Sequence, residues 1–69
     1  MNRKIRYDAE REAILVPCGL RGTYEVEREQ ISTRAGIDRV TEDFSYKAWL
    51  TPSDVAEVRR IALELLATE

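Results

Sequence analysis

The stretch that decides the fold is Thr23–Val55, which reads TYEVEREQISTRAGIDRVTEDFSYKAWLTPSDV. Its last part predicts the start of a helix, because Thr51 can cap, Pro52 fits the first helical position and Asp54 can complete a capping box. The helix is predicted to run from Pro52 to Ala67 and to pack through an apolar stripe. The members of this stripe are Val55, Val58, Ile61, Ala62, Leu65 and Leu66.

The middle of the stretch, Val40–Leu50, alternates apolar and polar side chains, which is the period of a β-strand. Its Thr, Phe, Tyr and Trp residues favour a pleated surface. Only Glu42 interrupts the apolar face. We therefore predict a strand here, with Phe44 and Tyr46 in the core and Trp49 on the opposite, polar face.

Two further strands are predicted before this stretch. Apolar and charged residues alternate in Lys4–Asp8, and Ala13–Pro17 is a short apolar run typical of a covered strand. Asp8 suits the turn between them, because an Asp side chain can bond the backbone two residues further on. The N-terminal segment is therefore predicted to be a β-hairpin.

The remaining segment, Thr23–Ala35, is rich in residues that favour helices, and Gly36 supplies a C-terminal stop. It is predicted to be a shorter central helix. The hairpin and the third strand would form a small antiparallel sheet packed against the C-terminal amphipathic helix. The predicted fold class is therefore α+β, in one domain that spans residues 1–69.

The segment Gln30–Asp38 also resembles the first helix and turn of a helix-turn-helix, with Gly36 as the turn glycine. The second helix is matched poorly, because its inward positions hold Glu42 and Ser45. Acidic residues on its outward face would repel phosphate, whose neutralisation supplies much of the affinity for DNA. A small helix-turn-helix-like DNA-binding transcriptional regulator is therefore the alternative interpretation of function.

A second partial resemblance lies just downstream. The run Y-x-x-W-L-T-P-S-D-V, at Tyr46–Val55, resembles the end of the wing and the following helix of MerR-like regulators. Between Gly36 and Tyr46 there is too little chain for both a recognition helix and a full wing hairpin. The resemblance is therefore confined to two short patches.

The composition of the chain limits the kinds of catalytic and metal site that it can form. The 69 residues include one cysteine and no histidine, and the net charge is -2. Histidine is the usual general acid or base and the usual partner of a nucleophile, and one thiol does not make a zinc site. We therefore expect neither enzymatic activity nor a metal or other cofactor.

The chain is expected to work in the cytoplasm. A lone cysteine, Cys18, fits a reducing compartment. No apolar run approaches the length that spans a membrane, and no signal segment opens the sequence. We therefore expect no membrane partner.

A domain this small is marginally stable by itself and usually relies on a disulfide, a metal or a partner. With one cysteine, an intrachain disulfide is impossible. We therefore predict a homodimer, with Ala56 and Leu63 at the contact, because both lie on a flank of the C-terminal helix beyond its main apolar stripe.

The leading hypothesis for function is a non-enzymatic regulatory protein, an adaptor or inhibitor that binds and masks a surface of a larger protein. Compact charged chains of this kind are common among phage- and plasmid-encoded modulators. Interface anchors are enriched in Trp, Tyr and Arg. The predicted partner-binding residues are Trp49, Arg3, Arg6 and Lys47.

Overall fold

The computed structural model describes residues 5–18, 22–48 and 50–68. Its elements, in chain order, are β1 (Arg6–Asp8), β2 (Ala13–Pro17), β3 (Thr23–Glu27), a 3₁₀ helix (Arg28–Ile31), α1 (Arg34–Ser45) and α2 (Pro52–Ala67). The strands form one antiparallel sheet in the order β1-β2-β3. The predicted α+β class, the N-terminal hairpin and the C-terminal helix are confirmed.

One face of the sheet points towards the helices. Ile14 on β2 is paired with Tyr7 on β1 and with Val26 on β3, so these three side chains share that face. All three belong to the core or pack against it. The predicted stripe of α2 closes the core through Val58, Ile61 and Ala62.

The outer face of the sheet carries an ion pair that reaches across β2. Arg11, in the β1–β2 turn, donates from Nη1 to Oε2 of Glu25 on β3, at 2.9 Å. Glu25 is paired with Leu15 in the register. Leu15 is only 7% exposed, although it points away from the helices. The aliphatic part of an Arg side chain can cover such an apolar residue while its charged end stays in water.

The third strand is β3, and the prediction that places it at Val40–Leu50 is wrong. In β3 Val26 is buried, and its neighbours in the chain are exposed polar residues. That alternation is the period of a strand covered on one face. The prediction of a helix over Thr23–Ala35 is also wrong, because the first residues of this segment form β3 and pair with β2.

Most of the predicted third strand belongs instead to α1. Ile37, Val40 and Phe44 are the buried residues of this helix, and their spacing places them on one helical face. Tyr46, which the strand prediction assigns to the core, is 80% exposed. Glu42, the single break in the apolar alternation, is exposed on α1. That break is the signal that favours the helical period over the strand period.

Gly36, predicted to end the central helix, lies instead in the first turn of α1. Thr33 caps α1 by accepting a hydrogen bond from the backbone N–H of Gly36, at 3.0 Å. A Cβ atom at Gly36 would overlap the backbone carbonyl oxygen of Gln30. Glycine therefore lets the 3₁₀ helix approach α1 closely. The segment Gln30–Asp38 contains the end of the 3₁₀ helix and the start of α1, and not the helix and turn that its sequence resembles.

Helix α2 begins with the predicted capping box. Thr51 Oγ1 accepts from the backbone N–H of Asp54 at 3.1 Å, and Asp54 Oδ2 accepts from the backbone N–H of Thr51 at 3.0 Å.

We expect Thr51→Ala to lower the free energy of unfolding by about 1 kcal/mol, because a helix N–H loses its acceptor. Ser53→Ala is the matched control, because Ser53 is exposed in the same helical turn. Urea unfolding midpoints measure the difference. Equal midpoints for the two variants would contradict the capping role of Thr51.

Candidate functional site

A cleft of about 330 Å³ opens between β3 and α1. Its floor is apolar and its lip is polar. The apolar side chains come from Tyr24, Val26, Val40 and Phe44, and the polar ones from Gln30, Arg39 and Asp43. An apolar centre with a polar rim is the usual composition of a protein-binding surface.

Tyr24 joins the two walls of the cleft. Its ring meets the ring of Phe44 edge to face, with centroids 5.3 Å apart and planes at 82°, a favourable aromatic geometry. Phe44 is 2% exposed and Tyr24 is 37% exposed. Tyr24 therefore presents an aromatic surface to solvent above a buried floor.

The lip of the cleft carries both signs of charge. The Nζ atom of Lys47 lies 5.6 Å from the centroid of the Tyr24 ring, within the range of a cation–π contact. The same atom lies 3.7 Å from Oδ2 of Asp43. Arg39 is exposed on α1 and forms no ion pair within the described ranges. Since no described polar or charged side chain is buried, the cleft offers contact area rather than a desolvated acid or base.

A hydrogen bond just beyond the end of β3 establishes which backbone groups of this strand face β2. The backbone N–H of Arg28 donates to the carbonyl of Glu12 at 2.8 Å. Hydrogen-bonded pairs alternate along an antiparallel ladder. The backbone groups of Val26 and Tyr24 therefore point towards β2, and those of the residues that alternate with them along β3 point away from β2.

The outward backbone groups of β3 belong to Thr23, Glu25 and Glu27. The N–H of Glu27 donates to Oε1 of Gln30 at 3.0 Å, which occupies that end of the edge. Among the described residues, the backbone N–H groups of Thr23 and Glu25 donate no loop or side-chain hydrogen bond, and their C=O groups accept none. Within the part of the chain that the structure describes, a short stretch of strand edge thus lies open beside the cleft.

The structure describes two of the four predicted partner-binding residues, Arg6 and Lys47. Arg6 is exposed on β1, at the opposite edge of the sheet, with Nη1 3.9 Å from Oδ2 of Asp8. Lys47 contacts Tyr24 and Asp43, which line the cleft. Arg3 and Trp49 lie outside the residues that the structure describes. Arg6 and Lys47 are therefore not brought together, and Lys47 alone of these two belongs to the candidate site.

The residues that sequence reasoning missed are Tyr24, Glu25 and Arg39. Tyr24 and Glu25 were hidden by the assignment of their segment to a helix. The signal that could have found them is the alternation in TYEVE, which puts Tyr24 and Val26 on one face and the glutamates on the other. Arg39 carries no signal of its own, because its role depends on the position of α1.

The exposed face of α2 carries a set of ion pairs beside the predicted self-association residues. Arg60 Nη2 lies 2.6 Å from Oε2 of Glu57, and Arg60 also pairs with Glu64. The hydrogen bond from Arg60 lowers the pKa of Glu57. Ala56 is exposed, and Leu63 is half-buried and packs against the core. The face that Ala56 and Leu63 offer to a second copy is therefore small and bordered by charges.

Self-association through this face stays a prediction. We expect a homodimer at micromolar concentration, and we expect Ala56→Arg to shift it towards the monomer by placing a cation in the contact. Glu42→Arg is the control, because Glu42 is exposed on α1. Sedimentation equilibrium measures the mass. A species of only 8.0 kDa at high concentration would contradict the dimer.

Comparisons with protein-family models, with curated proteins and with solved structures find no match to this chain. Neither α1 nor α2, the helices of the described residues, combines the length and apolar character needed to cross a membrane. What the chain does is therefore inferred from its own residues and their geometry.

Proposed function

We propose that this chain is a non-enzymatic regulatory protein, an adaptor or inhibitor, that binds and masks a surface of a larger protein through the cleft between β3 and α1. The observation that carries the proposal is an apolar floor beneath exposed Tyr24, with a lip of both charge signs. Tyr and Arg are enriched among residues that dominate binding energy. The proposed setting is the cytoplasm, where a free thiol such as Cys18 stays reduced.

The size of the cleft favours an anchor within a wider contact. A volume of about 330 Å³ lies at the lower end of the roughly 300–1,000 Å³ of small-molecule pockets. It suits one or two apolar side chains of a partner. A stable interface covers about 800 Å² on each side, a modest part of the 4933 Å² surface of this chain. Tyr46, 80% exposed and next in the chain to Lys47, is available to extend the contact.

We expect Asp43→Arg to abolish capture of the partner, because a long cation would lie across the apolar floor. Asp43 lines the cleft. Glu42→Arg makes the same charge change on the neighbouring exposed residue, outside the cleft, and should leave capture intact. The measurement is a pull-down from host lysate with the tagged wild type and the two variants. Circular dichroism and urea midpoints verify that both variants are folded.

The outcome that supports the proposal is a specific protein retained by wild type and Glu42→Arg and lost with Asp43→Arg. Equal capture by both variants would place the contact elsewhere and overturn the role of the cleft. The same proteins should be mixed with random duplex DNA at low salt. A retarded duplex whose binding falls steeply with added salt, without a captured protein, would favour the DNA-binding alternative.

A further inference from the structure

We propose that the partner docks on β3 as an added antiparallel strand, and that the docking segment is extended and alternates apolar with basic residues. The inference rests on the proposed function and specifies the chemistry of the segment that is recognised. It depends on the open backbone of β3, on the cleft on one side of that strand and on a negative recess on the other.

The backbone of β3 offers a defined docking length. The N–H and C=O groups of Thr23 and Glu25 point away from β2. The Gln30 side chain occupies the N–H of Glu27 and so ends the available edge. In an antiparallel addition, the residues opposite Thr23 and Glu25 would each exchange two hydrogen bonds with them. Main-chain bonds of this kind supply affinity when a peptide adds to a sheet edge.

The inner face of the added strand would meet the cleft. Successive side chains of a strand point to opposite faces. The residues that lie opposite Tyr24 and Val26 would therefore point towards α1, above the buried ring of Phe44. Apolar side chains fit this position, because the floor of the cleft is apolar and about 330 Å³ in volume.

The outer face of the added strand would meet negative charge. Glu25, whose carboxylate accepts from Arg11, and Glu27 lie on the outer face of β3. They belong to a recess of about 350 Å³ whose charged side chains are four carboxylates and two guanidinium groups. Opposite charges directly across a pair of strands are stabilising. Lysine or arginine residues are therefore favoured at the outward positions of the docking segment.

A second copy of the chain is a poor occupant of this edge. Extending one sheet by another copy through the same edge aligns the outer faces of the two sheets. The two negative recesses would then lie side by side, and in the register centred on Glu25 the two copies of this carboxylate would face each other. Like charges across strands are destabilising. This edge and the predicted dimer contact at Ala56 are thus separate surfaces.

The test uses the full-length protein labelled with ¹⁵N and three short, blocked peptides. One alternates Val and Lys, the second has the same composition in scrambled order, and the third alternates Val and Glu. We expect the Val–Lys peptide alone to shift the resonances of Thr23–Glu27 and to slow hydrogen exchange of the Thr23 and Glu25 amides. Hydrogen exchange of the Tyr24 and Val26 amides should change little, because these amides already bond β2. Equal binding of the scrambled peptide, or shifts confined to α2, would overturn strand addition.

Two variants separate charge from backbone recognition. Glu25→Lys should weaken binding of the Val–Lys peptide by about fivefold or more and strengthen binding of the Val–Glu peptide. Thr23→Pro removes an outward N–H without changing a charge, which an edge strand tolerates, and should also weaken binding. Should Thr23→Pro fail to fold, the paired response of Glu25→Lys still decides, and an unchanged preference between the peptides would refute the charge requirement.

The result also distinguishes this inference from the proposed function. If Asp43→Arg abolishes capture of a larger protein while no peptide protects the β3 edge, the cleft remains the binding site and strand addition is wrong. If capture is insensitive to Asp43→Arg but the Val–Lys peptide still protects Thr23 and Glu25, strand addition stands without the cleft as anchor.

Discussion

Phe44→Ala is expected to lower the free energy of unfolding by about 3–5 kcal/mol, the usual range for removing a buried phenylalanine. Phe44 is 2% exposed, forms the floor of the cleft and meets Tyr24 edge to face. Small domains have total stabilities near the lower end of about 5–15 kcal/mol. About 0–2 kcal/mol would then remain, so up to about half of the Phe44→Ala population should be unfolded at room temperature.

Tyr46→Ala provides the comparison, because Tyr46 is also aromatic, lies at the C-terminal end of the same helix and is 80% exposed. Surface substitutions of this kind change stability by about 0.5 kcal/mol or less. Urea denaturation followed by circular dichroism measures both variants. A larger loss for Tyr46→Ala than for Phe44→Ala would reverse the assignment of core and surface at this end of α1.

Gly36→Ala is expected to destabilise the protein by about 1–2 kcal/mol, although alanine favours helices more than glycine does. The added Cβ would overlap the carbonyl oxygen of Gln30, which is backbone and cannot rotate away. Relief requires α1 to move from the 3₁₀ helix, and forced overpacking typically costs about 1–3 kcal/mol. This loss exceeds the gain in helix propensity, which is at most about 1 kcal/mol.

Ala35→Gly is the control for Gly36→Ala, because Ala35 is exposed at the preceding position of the same turn. It should cost no more than about 1 kcal/mol, through propensity alone. The ordering of the two urea midpoints is the decisive result. A Gly36→Ala variant more stable than wild type would show that the 3₁₀ helix and α1 are not in close contact.

Local chemistry made α2 and the hairpin predictable. The cap at Thr51 and the regular apolar spacing of α2 act within one helix, and both are found as predicted. The strand Ala13–Pro17 is also found with its predicted bounds. These elements are specified by residues close together in sequence, so a single sequence is enough to find them.

The assignments between Thr23 and Leu50 failed because two periods compete there. Val40 and Phe44 fit both an alternating strand and a helical stripe. The break at Glu42 is the one local sign against the strand, and burial together with Ile37 decides for the helix. The glutamates of β3 favour helices, yet pairing with β2 overrides that preference. Of the candidate site, Lys47 was predicted. The cleft itself depends on how α1 lies against β3, which no local pattern specifies.

The order of the strands has a consequence for the kinetics of folding. Because β1, β2 and β3 lie side by side in chain order, each pairing joins neighbouring segments and closes only a short loop. Hairpins of this kind form in about 1–10 μs. Domains dominated by such short-range contacts fold faster than those that must first bring distant segments together. The sheet can therefore assemble early, and the docking of α2 against β1 and β2 would be the later event that makes the structure cooperative.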